Sequence, residues 1–349
     1  MLELKTELPK EIIIEKRAIE QIPNVIRKLG NFKSILMVSG KITHKLAGVK
    51  ISKLLIKDYK LNFGYVEIPD EQTINDIKQI GKTSNIDLIL GIGGGKNIDV
   101  ARAVAYNLKI PYISIPTVIS HDGIASDRSI ISRGNSKYPL IGKPPLAVIA
   151  DLDLLTKAPF RYFAAGCGDV IAKYTAVLDW QLARDEVGED YDKQSADISL
   201  SAAKTIINMS KNYRKNFKNS VKTLTGSLIS CGIAMAIAKS SRPGSGAEHM
   251  LCHTIDKLYP QNTALHGEKV GLGAYIMSFL HGKDFEIIRK ALIAYNLPMS
   301  SKQIKIPEEI LIKALSTAHS IRSDMRYTIL RHGIKERDAE KLLKEIKVI

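Results

Sequence analysis

"LILGIGGGKNIDVARAVAY" (residues 88–106) decides the fold class. An apolar, strand-like run leads into Gly93, Gly94 and Gly95, and a helical pattern follows at once. Glycines let the backbone approach an anion closely, and a helix N-terminus offers unpaired N–H groups and the positive end of its dipole. The stretch departs from the GxGxxG fingerprint because position 96 is lysine. It predicts a pyrophosphate-binding turn, with a ligand-free glycine-rich turn as the alternative.

The same strand-then-helix pattern recurs through the first part of the chain. The apolar runs rich in Ile and Val lie at residues 34–40, 63–69, 86–94, 111–117 and 146–151. Their alternation with helical or turn segments is typical of a parallel sheet covered by helices. From about residue 159 onward, Ala, Leu, Ile and Lys recur at helical spacing. We predict an α/β, Rossmann-like domain over residues 1–158 and an all-helical domain over residues 159–349.

Composition limits the class of protein. A chain of 349 residues is long for a single hydrophobic core, which favours two domains. The formal net charge is +15, but only 6% of the residues are aromatic and no basic cluster is interleaved with them. A solvated basic surface that favours small anions therefore explains the charge better than nucleic-acid binding does.

Cysteine usage and hydropathy predict the compartment. The three cysteines show no CxxC spacing, which argues against a disulfide framework and for a reducing cytoplasm. The N-terminus lacks a cationic segment followed by an apolar one, so we expect no signal peptide. The most apolar segment, residues 224–238, is shorter than the roughly 20 residues of a membrane span. We expect it to be a buried core helix.

Two further stretches carry polar side chains of the kind found in binding sites. "SIPTVISHDGIASDRSII" (114–131) follows a predicted strand, and in open α/β sheets such loops line the ligand crevice. An ordinary solvent-exposed loop is the alternative. "AAGCGDVIAKYTA" (164–176) places Asp169 after Gly166 and Gly168, near the predicted start of a helix. There a carboxylate could equally serve as a helix cap.

Three histidines follow in the helical part. "SGAEHMLCHTID" (245–256) places His249 and His253 on one helix face, and "ALHGEKVGLGAY" (264–275) adds His266 near a helix start. A carboxylate with two or three imidazoles is a ligand set for zinc or ferrous iron. Cys252 is a rival ligand. Spacing alone leaves open which of the histidines bind the metal.

Taken together and in order, these motifs resemble a known family. They are similar to the group of iron/zinc alcohol dehydrogenases, glycerol dehydrogenases and dehydroquinate synthases, and within it to the archaeal sn-glycerol-1-phosphate dehydrogenases. The resemblance covers residues 90–275 approximately. "SHDGIAS" discriminates best, because glycerol dehydrogenases usually carry a "STDAP"-like segment there and dehydroquinate synthases one similar to "VDSSVGGK". A dehydroquinate synthase-like fold is implied.

The resemblance implies a role for each matching residue. Asp169, His249 and His266 would hold the metal. Asp122, Asp169 and His253 would contact substrate, with Asp122 and His253 as catalytic residues. The residues implied for dinucleotide binding are Gly93, Gly94, Gly95, Lys96, Asn97, Ile98, Asp99, Thr117, Val118, Ile119, Ser120 and Ser126.

The implied activity is metal-dependent reduction of dihydroxyacetone phosphate to sn-glycerol 1-phosphate by NADH or NADPH. This reaction supplies the glycerophosphate backbone of archaeal membrane phospholipids. The resemblance implies one Zn²⁺ per subunit in preference to Fe²⁺. We further expect a cytoplasmic homo-oligomer without a membrane span or nucleic-acid partner. The alternative is a zinc glycerol dehydrogenase that acts on unphosphorylated polyols.

Overall fold

The computed structural model describes residues 8–133, 136–321 and 326–349. The strands are β1 (Glu11–Glu15), β2 (Ser34–Ser39), β3 (Lys60–Tyr65), β4 (Leu88–Gly93), β5 (Tyr112–Pro116), β6 (Arg128–Arg133), β7 (Ser136–Ile141) and β8 (Ala147–Asp151). The helices are α1 (Ile22–Leu29), α2 (Lys41–Thr43), α3 (Val49–Leu55), α4 (Glu71–Thr83), α5 (Gly95–Leu108), α6 (Leu152–Leu155), α7 (Phe160–Val187), α8 (Lys193–Met209), α9 (Phe217–Ala238), α10 (Ala247–Leu258), α11 (His266–Leu280), α12 (Phe285–Ala294), α13 (Ser301–Ile304), α14 (Glu308–Thr317) and α15 (Glu336–Glu345).

Six of the strands form one parallel sheet, in the order β1-β8-β5-β4-β2-β3. Every residue of β2, β4, β5 and β8 is buried, which is the pattern of strands covered on both faces. Ile35, Leu90 and Ile113 belong to the hydrophobic core on this sheet. The predicted α/β fold class, with helices alone after residue 159 among the described residues, is confirmed.

The order of the strands reverses direction between β2 and β4. From β2 the chain continues outward to β3, whereas from β4 it continues the opposite way to β5 and β8. In open α/β sheets, ligands bind at the carboxyl ends of the strands at such a switch point. The glycine-rich turn from β4 into α5 lies at this position.

Two elements of the α/β part were not predicted from the sequence. β1 is an edge strand that pairs in parallel with β8. β6 and β7 form a separate antiparallel hairpin just after the polar loop. Both are short and only partly apolar, so neither leaves the continuous apolar run of a buried strand.

The chain divides into two compact units, but not by a single cut. The first unit comprises Met1–Pro159 and Phe217–Ala236, and the second comprises Phe160–Asn216 and Ile237–Ile349. The first break lies one residue from the predicted boundary between residues 158 and 159. Residues Phe217–Ala236 of α9 belong to the first unit, although they lie within the predicted helical domain of residues 159–349.

The return helix α9 is a core helix of the first unit. A Cβ added at Gly232 would lie 2.9 Å from the carbonyl carbon of Ala125 and 3.0 Å from the nitrogen of Ser126, so α9 packs directly on the polar loop. The helix has 22 residues, and the mean hydropathy of its apolar 18-residue window is 1.5, enough to cross a membrane by length and composition alone. Of its apolar window, however, 61% is buried within the protein. The apolar segment at residues 224–238 is part of this longer helix.

Candidate metal centre and dinucleotide site

The turn from β4 into α5 brings three glycines against bulky neighbours. Gly93 has φ of +148°, which side chains rarely adopt, and a Cβ there would lie 2.1 Å from Nδ2 of Asn97. A Cβ at Gly95 would lie 1.9 Å from Nε2 of His121. Gly94 is the N-cap of α5 and supplies no side-chain acceptor to the first amides of the helix. These amides are therefore suited to bind an anion.

The polar loop after β5 lies beside this turn. Because Gly93 and Pro116 are paired across the parallel strands, the two loops leave the sheet side by side. The backbone N–H of Thr117 donates to the carbonyl oxygen of Gly93 at 3.0 Å. Asp122 begins a one-turn 3₁₀ helix, and Nδ1 of His121 accepts a hydrogen bond of 3.0 Å from the backbone N–H of Gly123, two residues further along the chain. The sequence-predicted dinucleotide residues of both loops are thus brought together.

The side chains in the first turns of α5 have partners within the protein. Those of Asn97, Ile98 and Asp99 are buried, and Lys96 is exposed with Nζ 3.3 Å from the carbonyl oxygen of Glu67. Oδ1 of Asn97 is nevertheless buried without a hydrogen-bond partner among the described residues. The assignment of these residues to the cofactor stays a prediction.

Asp99 is instead part of a buried cluster around Arg102. The guanidinium of Arg102 is fully buried, and its NH1 donates to Oδ1 of Asp99 at 2.7 Å and to the carbonyl oxygen of Arg128 at 2.5 Å. It also donates to the carbonyl oxygen of Gly123 and, from Nε at 2.8 Å, to the hydroxyl of Tyr112. Arg102 thereby holds both ends of the loop segment that contains Ser126. Sequence reasoning did not assign it a role, although an arginine three residues after an aspartate on a helix is a signal for such a pair.

Asp169 lies in the middle of a helix, and its predicted position near a helix start is wrong. α7 begins nine residues earlier, at Phe160. Gly168 is accommodated inside the helix because α11 comes so close that a Cβ there would lie 2.3 Å from the carbonyl oxygen of Gly267. This backbone contact brings His266, the first residue of α11, opposite Asp169.

Three side chains of the second unit converge. Oδ1 of Asp169 lies 3.5 Å from Nε2 of His266 and 3.8 Å from Nε2 of His249, and one donor atom of each residue lies within 4.8 Å of the others. Zinc bonds of about 2.0–2.2 Å place tetrahedral donors about 3.3–3.6 Å apart. The carboxylate and both imidazoles therefore fit a single divalent metal ion.

His253 does not belong to this donor group. It lies one turn beyond His249 on α10, and its ring centroid is 6.5 Å from that of His249 and 6.4 Å from that of His266. Cys252, the rival ligand, is buried with Sγ 3.5 Å from Nδ1 of His266, on the opposite side of the ring from the nitrogen that faces Asp169. Among the described residues, the convergent group consists of one carboxylate and two imidazoles.

A buried lysine contributes to the charge of the site. Nζ of Lys173, one turn after Asp169 on α7, donates to Oδ1 of Asp169 and to the carbonyl oxygen of Gly244, each at 3.1 Å. Burial acts to raise the pKa of Asp169, but the charge of Lys173 and the hydrogen bond and charge of His266 outweigh it and hold this pKa well below its usual range. Asp169 is thus kept ionised, as a metal ligand must be.

The pKa of the His266 imidazole is shifted in the opposite direction, upward. Burial acts to lower its pKa, but Cys252 and the carboxylate of Asp169 more than reverse this effect and raise the pKa to about 10. Without a metal, His266 and Asp169 therefore form an ion pair at neutral pH. A metal ion that binds here has to displace the proton.

Comparison with known proteins identifies the family. The model of the iron-containing alcohol dehydrogenases matches residues 13–159. The chain is 41% identical to a protein from Sulfurisphaera tokodaii named glycerol-1-phosphate dehydrogenase (NAD(P)+), over 98% of this chain and 97% of that one. A protein of the same name from Pyrococcus horikoshii is 40% identical over 98% of this chain and 99% of that one. The chain belongs to the glycerol-1-phosphate dehydrogenase family.

Solved structures place the same fold in more distant enzymes. A probable glycerol dehydrogenase from Sinorhizobium meliloti superposes with a TM-score of 0.79 at 17% identity, covering 98% of this chain and 97% of that one. Glycerol dehydrogenase from Schizosaccharomyces pombe gives a TM-score of 0.78 at 17% identity, covering 98% and 89%. At this identity the likeness concerns the fold alone. The family resemblance seen in the sequence motifs is confirmed by the nearly full-length relatives.

Proposed function

We propose that this chain reduces dihydroxyacetone phosphate to sn-glycerol 1-phosphate, with NADH or NADPH as the reductant and one zinc ion per subunit. The observation that carries the proposal is the convergence of Asp169, His249 and His266 in a chain about 40% identical to proteins named glycerol-1-phosphate dehydrogenase. In the balanced reaction, a hydride from the dihydronicotinamide adds to the carbonyl carbon C2, a proton adds to its oxygen, and NAD(P)⁺ is released.

The donor set supports a catalytic metal site. Zinc sites with three protein donors keep a fourth position for water or substrate, whereas structural sites are closed by four. When bound, the metal would act as a Lewis acid towards the substrate carbonyl, and the nicotinamide would supply the hydride. Imidazole and carboxylate donors also suit iron, so zinc is the specific part of this proposal.

His253 is the proposed proton donor. It follows His249 by one turn, is only half-buried, and stands outside the metal-binding group. An imidazole titrates near neutrality and can give up a proton to an oxygen on which negative charge develops. Asp122, in the loop after β5, is proposed to bind a substrate hydroxyl.

The glycine turn is the proposed site of the dinucleotide diphosphate. The first amides of α5 lack a side-chain cap from Gly94, and the helix dipole places its positive end there. The neighbouring loop, from Thr117 to Ser120 with Ser126, is proposed to complete the site. The location at the switch point of the sheet supports this assignment.

The substrate is tested by assaying two ketones side by side. The purified, zinc-loaded protein is assayed for NADH and NADPH oxidation with dihydroxyacetone phosphate and with dihydroxyacetone, and the product is analysed by chiral chromatography. A strong preference for the phosphorylated ketone and an sn-1 product are expected. A preference for dihydroxyacetone would identify a glycerol dehydrogenase instead.

A further inference from the structure

A buried carboxylate lies behind His249, on the side of the imidazole away from Asp169. Glu248, its neighbour on α10, is fully buried, and Oε1 of Glu248 lies 2.8 Å from Nδ1 of His249. Nε2 of the same ring lies 3.8 Å from Oδ1 of Asp169. The two nitrogens of this imidazole are thus divided between two carboxylates, of which only one belongs to the convergent donor group.

The N-terminus of α10 holds Glu248 in place. Its Oε1 accepts a hydrogen bond of 2.6 Å from the backbone N–H of Gly246, the N-cap residue. Its Oε2 lies 2.9 Å from the hydroxyl of Thr175 on α7. A carboxylate in the first turn of a helix is also favoured by the helix dipole. These contacts do not involve a metal, so they can orient the imidazole before one binds.

This arrangement selects one tautomer of His249. Both oxygens of a carboxylate only accept hydrogen bonds, so the carboxylate form of Glu248 pairs with the tautomer of His249 whose Nδ1 carries the proton. Nε2 then keeps its lone pair, and this is the nitrogen that faces Asp169. At His266 the corresponding partner of Nδ1 is the thiol of Cys252, which is a weak acceptor. Nδ1 of His249 therefore has a stronger hydrogen-bond acceptor beside it than Nδ1 of His266 has.

We propose that Glu248 is a positioning residue of the metal centre: its carboxylate fixes the tautomer and the ring orientation of His249 and thereby raises metal affinity. The inference rests on the proposed metal site and adds to it a residue that does not touch the metal. Carboxylates that accept the second N–H of a metal-binding histidine make the imidazole a better ligand, and their loss typically lowers metal affinity about 10–100-fold.

The test compares two variants of Glu248 with a matched control. Glu248→Met removes the acceptor at nearly constant volume, whereas Glu248→Gln keeps one acceptor oxygen and replaces the other oxygen by an amide nitrogen. Thr175→Val removes the contact at Oε2 but leaves the imidazole contact intact. Zinc affinity is measured by competition with a chromophoric chelator, the visible spectrum is recorded after cobalt substitution, and circular dichroism of the metal-free proteins checks folding.

The expected zinc affinities fall in a fixed order. Glu248→Met is expected to bind zinc about 10–100-fold more weakly than the unmodified chain. Glu248→Gln should bind zinc more weakly than the unmodified chain by an intermediate factor of at least about three. The zinc affinity of Thr175→Val should stay within about threefold of that of the unmodified chain. The cobalt spectrum should change in the Glu248 variants alone. If either folded Glu248 variant binds zinc as tightly as the unmodified chain, the inference is overturned. If the unmodified chain itself does not bind zinc, the proposed metal site fails first.

Discussion

The contact between α7 and α11 gives the sharpest test of how the metal site is built. A Cβ added at Gly267 would lie 1.8 Å from the carbonyl oxygen of Ala165 and 2.5 Å from its carbonyl carbon. Carbon–oxygen contacts normally begin at about 3.3 Å, so Gly267→Ala requires the helices to separate by about 1.5 Å. Both obstructing atoms belong to the backbone, which cannot turn aside as a flexible side chain can.

Separation of the helices acts directly on the donor atoms. His266 immediately precedes Gly267, and its Nε2 lies 3.5 Å from Oδ1 of Asp169. A displacement of about 1.5 Å would take this pair out of the range that a metal with bonds of about 2.0–2.2 Å can bridge. We expect Gly267→Ala to lower the free energy of unfolding by about 3 kcal/mol and the zinc affinity by at least about tenfold.

The assay measures stability and zinc binding in the same preparations. Urea unfolding of the metal-free protein is followed by circular dichroism, and zinc affinity is measured by chelator competition. Gly226→Ala is the matched control, because Gly226 also lies inside a helix but an added Cβ meets no atom within 4 Å. It should stabilise the protein by about 0.5–1 kcal/mol. If Gly267→Ala unfolds at the same urea concentration as the unmodified chain and binds zinc equally well, the close contact between α7 and α11 does not determine the positions of the metal donors.

Three further predictions concern other parts of the two sites. His253→Asn should lower kcat by about 10²–10⁴-fold, with zinc affinity unchanged; an equal loss of zinc affinity would make His253 a ligand. Arg102→Met leaves the buried Asp99 without its cation and should lower the free energy of unfolding, measured in urea, by about 3–5 kcal/mol. A loss below about 1 kcal/mol would show that the ion pair of Arg102 and Asp99 contributes little to stability. Zinc affinity should rise with pH through the neutral range. The pKa of His266 is raised above its usual value in the metal-free protein, so the ring is protonated there and must lose that proton to bind. Calorimetry in buffers of different protonation enthalpy should detect this proton, and its absence would contradict the ion pair of His266 and Asp169.

The α/β half was predictable because buried parallel strands leave a simple trace. β2 and β4 are buried along their whole length and therefore read as uninterrupted apolar runs. β1, with the sequence EIIIE, is a partly exposed edge strand, and its three isoleucines are too few to distinguish a strand from a turn of helix. The position of α9 in the first unit could not be predicted from the sequence, because its contact with Ala125 and Ser126 depends on the packing of segments that are distant along the chain.

Glycines explain the main error about the site. Gly166 and Gly168 suggested a break just before Asp169, since glycine disfavours the interior of a helix. In the structure Gly168 lies within α7, where its lack of a side chain allows the backbone of α11 to approach. A glycine that breaks a helix and one that admits a neighbouring helix look the same in a single sequence. Only the position of Gly267 distinguishes the two cases.

The choice between His249 and His253 shows what spacing cannot decide. Four residues apart on one helix, both lie on the same face, and their residue type and spacing are equivalent. What distinguishes them is their surroundings: Nε2 of His249 faces Asp169, while its Nδ1 faces Glu248. His249 is thus placed between two fully buried carboxylates, an arrangement that fixes a ring as a ligand. A half-buried histidine one turn away is better suited to exchange protons, because it has solvent access and no place in the donor group. The division of roles therefore follows from the partner of each nitrogen, and Glu248→Met tests it at the residue where the difference arises.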